Sequence, residues 1–195
     1  MAGAQYNWQT HLGSELVTCY AGCPSMEQRS ASPVTIVDSQ LTGVNASIEV
    51  SSDAFGHNEA IPPQYTADGQ GLSPSLKWRG VPMNAEAVVV LVEDADSATP
   101  RPLVHAIVWD LPGSDASLPE GTLPDQRCAA NDTLSATWLP PDPPPGKGVH
   151  RYVFQVFALD VVPRFESRPA RAELLDKIKG HVIAKGLLIG TYARG

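Results

Sequence analysis

The chain has 195 residues, enough for one domain whose hydrophobic core needs neither disulfides nor metal to be stable. Its formal net charge of −7 excludes proteins that bind a nucleic-acid backbone or an anionic lipid surface through clustered lysine and arginine. Three cysteines are too few for a disulfide scaffold and favour a reducing compartment, so a cytoplasmic location is expected.

The first part of the chain, residues 1–45, has little hydrophobic periodicity and is interpreted as an irregular or partly ordered N-terminal extension. It lacks the basic and apolar segments of a secretion signal, and no apolar run approaches the roughly 18 residues needed for stable membrane insertion. Cys19 and Cys23 have the spacing of half a zinc site, but no second ligand pair follows, so no metal is predicted. The folded domain is placed at residues 46–195.

Six segments of this domain have the alternating pattern or the short β-branched runs that are typical of strands. In chain order they are SIEVSS, SLKWRGVP, AVVVLVED, VHAIVWDLPG, GVHRYVFQVFALD and LLIGTY. Proline concentrates between them, in connectors such as LPPDPPPG, because it is excluded from central strands. The pattern predicts a mainly β fold: an antiparallel β-sandwich with Greek-key-like connections and one or two peripheral helices near the C-terminus.

One helix is predicted, over residues 169–185, before a last strand at Leu187–Tyr192. Pro169 suits the first helical turn, where its missing N–H has no partner to lose. Apolar residues recur at helical spacing along the segment, as on a helix with one buried face. That face consists of Leu174, Leu175, Ile178 and Val182.

Two acids and two histidines lie near the ends of three predicted strands. Asp94 and Asp96 end one strand, His105 lies early in the next, and His150 opens the strand after the proline-rich connector. Strand ends that meet at one rim of a sheet would bring the four side chains together. The alternative is structural, since a lone strand histidine is more often a hydrogen-bonded framework residue and an Asp-x-Asp turn commonly accepts backbone N–H groups.

Strand alternation supports this convergence only in part. His150 shares a face with Tyr152 and Phe154, and Phe154 is predicted to be a core residue. Asp94 and Asp96 point the same way, and His105 shares a face with Ile107 and Trp109, so the sequence alone does not establish that the four side chains converge.

Two motifs carry a resemblance to a known family. The first is Asp94-Ala95-Asp96-Ser97 followed by His105-Ala106, and the second combines Gly148, His150, Arg151 and Tyr152. On these motifs the sequence resembles the phosphatidylethanolamine-binding protein family, in particular its bacterial Raf-kinase-inhibitor-like branch. The connector LPPDPPPG departs from the family pattern by carrying Asp142 where the family often has another residue.

The resemblance implies a ligand-binding protein, not an enzyme, with a surface pocket for phosphate-like or phosphorylated small molecules. It assigns no catalytic residue, metal or cofactor. It implies a kinase or protease as protein partner, a homodimer, and no nucleic-acid partner. The pocket residues that it implies are Asp94, Asp96, His105, His150, Tyr152 and Pro144.

Electrostatics constrain such a pocket, because two carboxylates repel an anion. A carboxylate that accepts one imidazole N–H leaves the other N–H facing the ligand as a donor, so His105 and His150 are both expected to donate to the anion. Such a site suits a small amphoteric or monoprotonated ligand. Two other functions stay open. One is an Asp/His hydrolase or metal-dependent enzyme, although no recognised ligand spacing or nucleophile motif is present. The other is a protein-interaction scaffold with a vestigial pocket.

Overall fold

The computed structural model describes residues 44–123 and 128–195. Almost all of the predicted N-terminal extension, with Cys19 and Cys23, lies outside them. The described strands are β1 (Ala46–Ser47), β2 (Glu49–Ser51), β3 (Glu59–Ala60), β4 (Leu76–Arg79), β5 (Ala87–Asp94), β6 (Leu103–Pro112), β7 (Ala116–Leu118), β8 (His150–Leu159) and β9 (Val182–Tyr192). A 3-10 helix spans Pro63–Tyr65 and an α-helix, α1, spans Arg171–Ile178. No described helix is long and apolar enough to cross a bilayer.

The strands form two sheets. The larger has the order β1-β9-β8-β5-β6, with β3 also paired to β9, and the smaller has the order β2-β4-β7. Most neighbours are antiparallel, but the two-residue strands β1 and β3 run parallel to β9. The fold is therefore mainly β as predicted, with a mixed larger sheet instead of a purely antiparallel one. The Greek-key-like connections of a sandwich stay a prediction.

Both faces of the larger sheet are covered. One face packs against the smaller sheet. The apolar cluster between them includes Trp78 of the smaller sheet and Phe154 of the larger one. The opposite face shares a second cluster with α1, which includes Leu91 and Leu174. This double burial explains why β5 is a continuous apolar run from Ala87 to Val92. The prediction that Phe154 is a core residue is confirmed.

Helix α1 is shorter than the predicted helix at residues 169–185. Gly180 has a φ of 81°, a left-handed conformation that glycine adopts without steric strain and that ends helices. The chain then enters β9 at Val182, five residues before the predicted strand start at Leu187. The prediction that Val182 completes the helical stripe was wrong, because the same apolar spacing also fits a half-buried strand.

A buried ion pair ties α1 to the sheet. Arg171 donates from Nε to Oε1 of Glu93 at 2.5 Å, and Gln155 donates from Nε2 to the other carboxylate oxygen at 2.9 Å. Glu93 is completely buried. Since successive strand residues point to opposite faces, β5 ends in two acids of opposite orientation, Glu93 toward α1 and Asp94 away from it.

Candidate anion-binding site

The pairing of β5 with β8 brings Asp94 and His150 together. Asp94 is opposite Tyr152 in the antiparallel register, and His150, two residues away, shares the face of Tyr152. Nδ1 of His150 donates to Oδ2 of Asp94 at 2.7 Å, and both side chains are buried. Gly148 precedes the strand with a φ of 89°, a conformation that favours the glycine of the second motif.

A β-bulge places His105 in the same site. His105 is an extra residue of β6 without a partner on β5. The pairs on either side of it are Val92 with Ala106 and Glu93 with Val104. A bulge redirects the extra side chain. The ring of His105 meets the ring of Tyr152 edge-on, with 5.1 Å between the ring centroids, and therefore lies on the face of the sheet opposite to Ile107. The prediction that His105 shares the face of Ile107 was wrong, because it assumed an uninterrupted ladder.

The backbone of Leu139 holds His105 from two directions. Its N–H donates to the His105 carbonyl at 2.9 Å, and its carbonyl accepts a hydrogen bond from Nδ1 of His105 at 2.7 Å. Burial lowers the pKa of His105, and the hydrogen bond to Leu139 offsets this only in part. The contact also places the neighbouring Trp138 with its ring centroid 6.1 Å from that of His105.

Three polar atoms of this cluster are buried without a hydrogen-bond partner among the described residues. They are Nε2 of His105, Nε1 of Trp138 and Oη of Tyr152. Each such atom costs on the order of 1–3 kcal/mol, so their concentration in one place is unusual for a folded protein. Burial is the main cause that raises the pKa of Tyr152, and the negative charges of Asp94 and Asp142 raise it further. The Tyr152 hydroxyl therefore keeps its proton, and both it and the indole N–H are available as donors.

Asp96 and Pro144, the other two predicted residues, lie at the border of the cluster. Asp96 accepts hydrogen bonds from Arg151 through the backbone N–H at 2.9 Å, Nε at 2.7 Å and Nη2 at 2.6 Å. Burial acts to raise the pKa of Asp96, but these bonds outweigh it and leave the pKa below its usual range. Pro144 is exposed, and its carbonyl accepts from the backbone of Lys147 at 3.3 Å. The ligand roles of Asp96 and Pro144 stay predictions.

Two contributions to the site were missed by sequence reasoning. Trp138 carries one of the three unpartnered atoms, and its only sequence signal is an aromatic residue just before the proline-rich loop. The second is Arg194, which fastens that loop by contacting Asp142 through Nη1 and Asp68 through Nε at 2.7 Å. Sequence alone shows Asp142 as a departure from the family but does not show its distant partner.

Among the residues that the structure describes, no group of three or more His, Cys, Asp or Glu side chains is arranged to hold a metal ion. Cys128 is buried, and its backbone forms an isolated bridge with Val108. The groups that the structure brings together at the site are an Asp–His pair, an imidazole, a phenol and an indole.

The sequence and the fold define the family of this chain. The sequence model of the phosphatidylethanolamine-binding protein family matches residues 51–193. A UPF0098 protein of Methanothermobacter thermautotrophicus is 34% identical over 154 residues, covering 76% of this chain and 100% of the relative. A UPF0098 protein of Pyrococcus horikoshii is 38% identical over 157 residues, covering 76% of this chain and 77% of the relative.

Two solved structures share the fold. A phosphatidylethanolamine-binding protein homologue from Chlamydia trachomatis superimposes with a TM-score of 0.70 at 33% identity, covering 76% of this chain and 99% of the homologue. E. coli YbcL, described as a member of the mammalian family, gives a TM-score of 0.69 at 25% identity, covering 77% of this chain and 100% of YbcL. The chain belongs to the phosphatidylethanolamine-binding protein family.

Proposed function

We propose that this protein binds a small phosphate-like anion or phosphorylated headgroup at the cluster formed by Asp94, His105, His150 and Tyr152. The observation that carries the proposal is the set of three buried polar atoms without a described partner beside a buried Asp–His pair. Ligand oxygens that accept from Trp138 and Tyr152 recover the desolvation cost of those donors.

The charge of the cluster is compatible with an anion. The carboxylate of Asp94 accepts a hydrogen bond from His150, and the carboxylate of Asp96 accepts hydrogen bonds from Arg151. Nδ1 of His150 donates to Asp94, which leaves the second ring nitrogen, Nε2, to face a ligand. The family name points to the same chemistry, because the phosphatidylethanolamine headgroup combines phosphate oxygens with an ammonium group.

Calorimetric titration tests the proposal. Phosphoethanolamine is titrated into the full chain, with inorganic phosphate as the probe for the anion alone and ethanolamine as the control without phosphate. We expect saturable one-to-one binding of phosphoethanolamine and phosphate, and none of ethanolamine. Absence of binding by both phosphate compounds would overturn the proposal.

We also propose, from the family resemblance, that ligand binding is coupled to regulation of a kinase or protease partner; this stays a prediction. The same holds for the bacterial Raf-kinase-inhibitor-like branch, the homodimer and the cytoplasmic location. The hydrolase and scaffold alternatives predict different outcomes of the titration: turnover of a phosphate ester in the first case, and no ligand binding in the second.

A further inference from the structure

The hydrogen-bonding role of His105 follows from its partner. A carbonyl oxygen only accepts, so the 2.7 Å contact with Leu139 requires the proton to be on Nδ1. In the neutral imidazole the other nitrogen, Nε2, then has a lone pair and no hydrogen. Nε2 is the atom that is buried without a partner among the described residues.

The surroundings of His105 favour the neutral ring. The residue is 2% exposed, and a buried imidazolium without a contacting carboxylate is costly. Asp94 and Asp132 attract a proton to His105 through space and His150 repels it, but none of the three is hydrogen-bonded to the ring among the described residues. Burial accordingly lowers the pKa of His105.

Tyr152 and Trp138 offer the opposite function in the same cluster. Both side chains are in ring contact with His105, and both carry an unpartnered hydrogen-bond donor. The cluster therefore presents two donors and one acceptor. A fully deprotonated oxyanion satisfies the donors but sets an oxygen lone pair against the lone pair of Nε2.

We infer that His105 accepts a hydrogen bond from the ligand, so that the site selects an oxyanion that carries a hydrogen on one oxygen, such as a phosphate monoester in its monoanionic form. This inference rests on the proposed function and adds the protonation state of the ligand. It reverses the initial expectation that His105 donates to the anion.

A matched pair of probes tests the inference. The methyl phosphate monoanion and methyl sulfate have the same charge and nearly the same shape, and differ by one oxygen-bound hydrogen. At about pH 5, below the second pKa of about 6 of a phosphate monoester, calorimetry on the full chain should show methyl phosphate binding at least about tenfold tighter than methyl sulfate, the effect of one well-placed hydrogen bond.

The preference should fall as the pH rises to about 8, where methyl phosphate loses that hydrogen. Since the bound form carries the extra proton, binding takes up protons and strengthens on acidification. His105→Leu should reduce the preference for methyl phosphate to near unity, because it removes the acceptor. His150→Ala is the matched control and should weaken both probes while leaving their ratio unchanged.

The outcomes separate the two proposals. Equal affinity of the wild-type protein for the two probes would overturn the role of His105 and leave anion binding standing. Failure of both to bind would overturn the proposed function with it. Histidine ¹⁵N spectra of the wild-type protein at about pH 5, the pH of the titration, give a second readout that does not depend on the folding of a variant. At this pH an ordinary histidine is charged, so a proton on Nδ1 alone would support the inference and a proton on both ring nitrogens of His105 would overturn it.

Discussion

The rings of His105 and Tyr152 meet edge to face with 5.1 Å between their centroids, although their strands, β6 and β8, are separated by β5 in the sheet. The contact crosses a strand because the bulge turns His105 toward the face of Tyr152. Both side chains leave a buried polar atom without a described partner. The fold thus brings together at this contact two of the polar groups to which the proposed ligand would hydrogen-bond.

Removal of either histidine should weaken phosphoethanolamine binding. A hydrogen bond to a charged group contributes roughly 1.5–3 kcal/mol, so His105→Ala and His150→Ala should each lower affinity about tenfold to a hundredfold. The double variant should lose less than the sum, because the two side chains share one ligand. Calorimetry on the four proteins measures this, and equal affinities throughout would show that both histidines are structural.

Core and site should respond differently to substitution. Phe154 is buried and packs against Trp138 and Phe55, so Phe154→Ala should lower the free energy of unfolding by about 3–5 kcal/mol. Asp94→Asn keeps the shape of the side chain and should reduce ligand affinity more than stability. Denaturant unfolding and calorimetry on both variants test this; a stable Phe154→Ala with an unfolded Asp94→Asn would invert the assignment.

Removing one partner of the Arg171–Glu93 ion pair should lower the free energy of unfolding strongly, whereas replacing both partners by apolar residues should lower it little. Arg171→Leu leaves a fully buried carboxylate without its charged partner and should destabilise the protein by about 3–5 kcal/mol. The double variant Glu93→Leu/Arg171→Leu should recover most of that loss, because no unpaired charge remains. Denaturant unfolding of the two single variants and the double variant supplies the cycle. A double variant as unstable as Arg171→Leu would contradict this account.

Stability should fall on acidification below the ordinary aspartate pKa of about 3.9. Burial acts to raise the pKa of Asp132, but hydrogen bonds from Arg101 and the Val104 backbone outweigh it, and the pKa lies below its usual range. A carboxyl with a depressed folded-state pKa stabilises the protein above its unfolded-state value, and this contribution is lost as the pH falls through the folded-state value. In Arg101→Gln the free energy of unfolding should fall less steeply as the pH is lowered, which denaturant unfolding at several pH values measures. An unchanged slope would show that the pair has no part in it.

Part of the candidate site could be predicted where apolar strand runs were uninterrupted. β5 and the start of β8 follow from runs that end in Asp94 and begin at His150, so the meeting of acids and histidines at one strand rim could be predicted, but not which acid pairs with which histidine. The orientation of His105 could not, because the bulge depends on the pairing of β6 with β5. The contact of Asp142 with Arg194 joins residues 52 positions apart, and local patterns carry no information on such distances.

The two acids at the end of β5 also affect the register in which this strand pairs with its two neighbours, β6 and β8. From Ala87 to Val92 every side chain is apolar and buried, so a slip of one residue exchanges the two faces without exposing any polar group in that stretch. Glu93 and Asp94 break this equivalence, because a slipped strand would turn the shorter acid toward Arg171 and the longer one toward His150. Glu93 and Asp94 together therefore distinguish the native register from the one shifted by a single residue, so a residue of the candidate site also contributes to folding specificity.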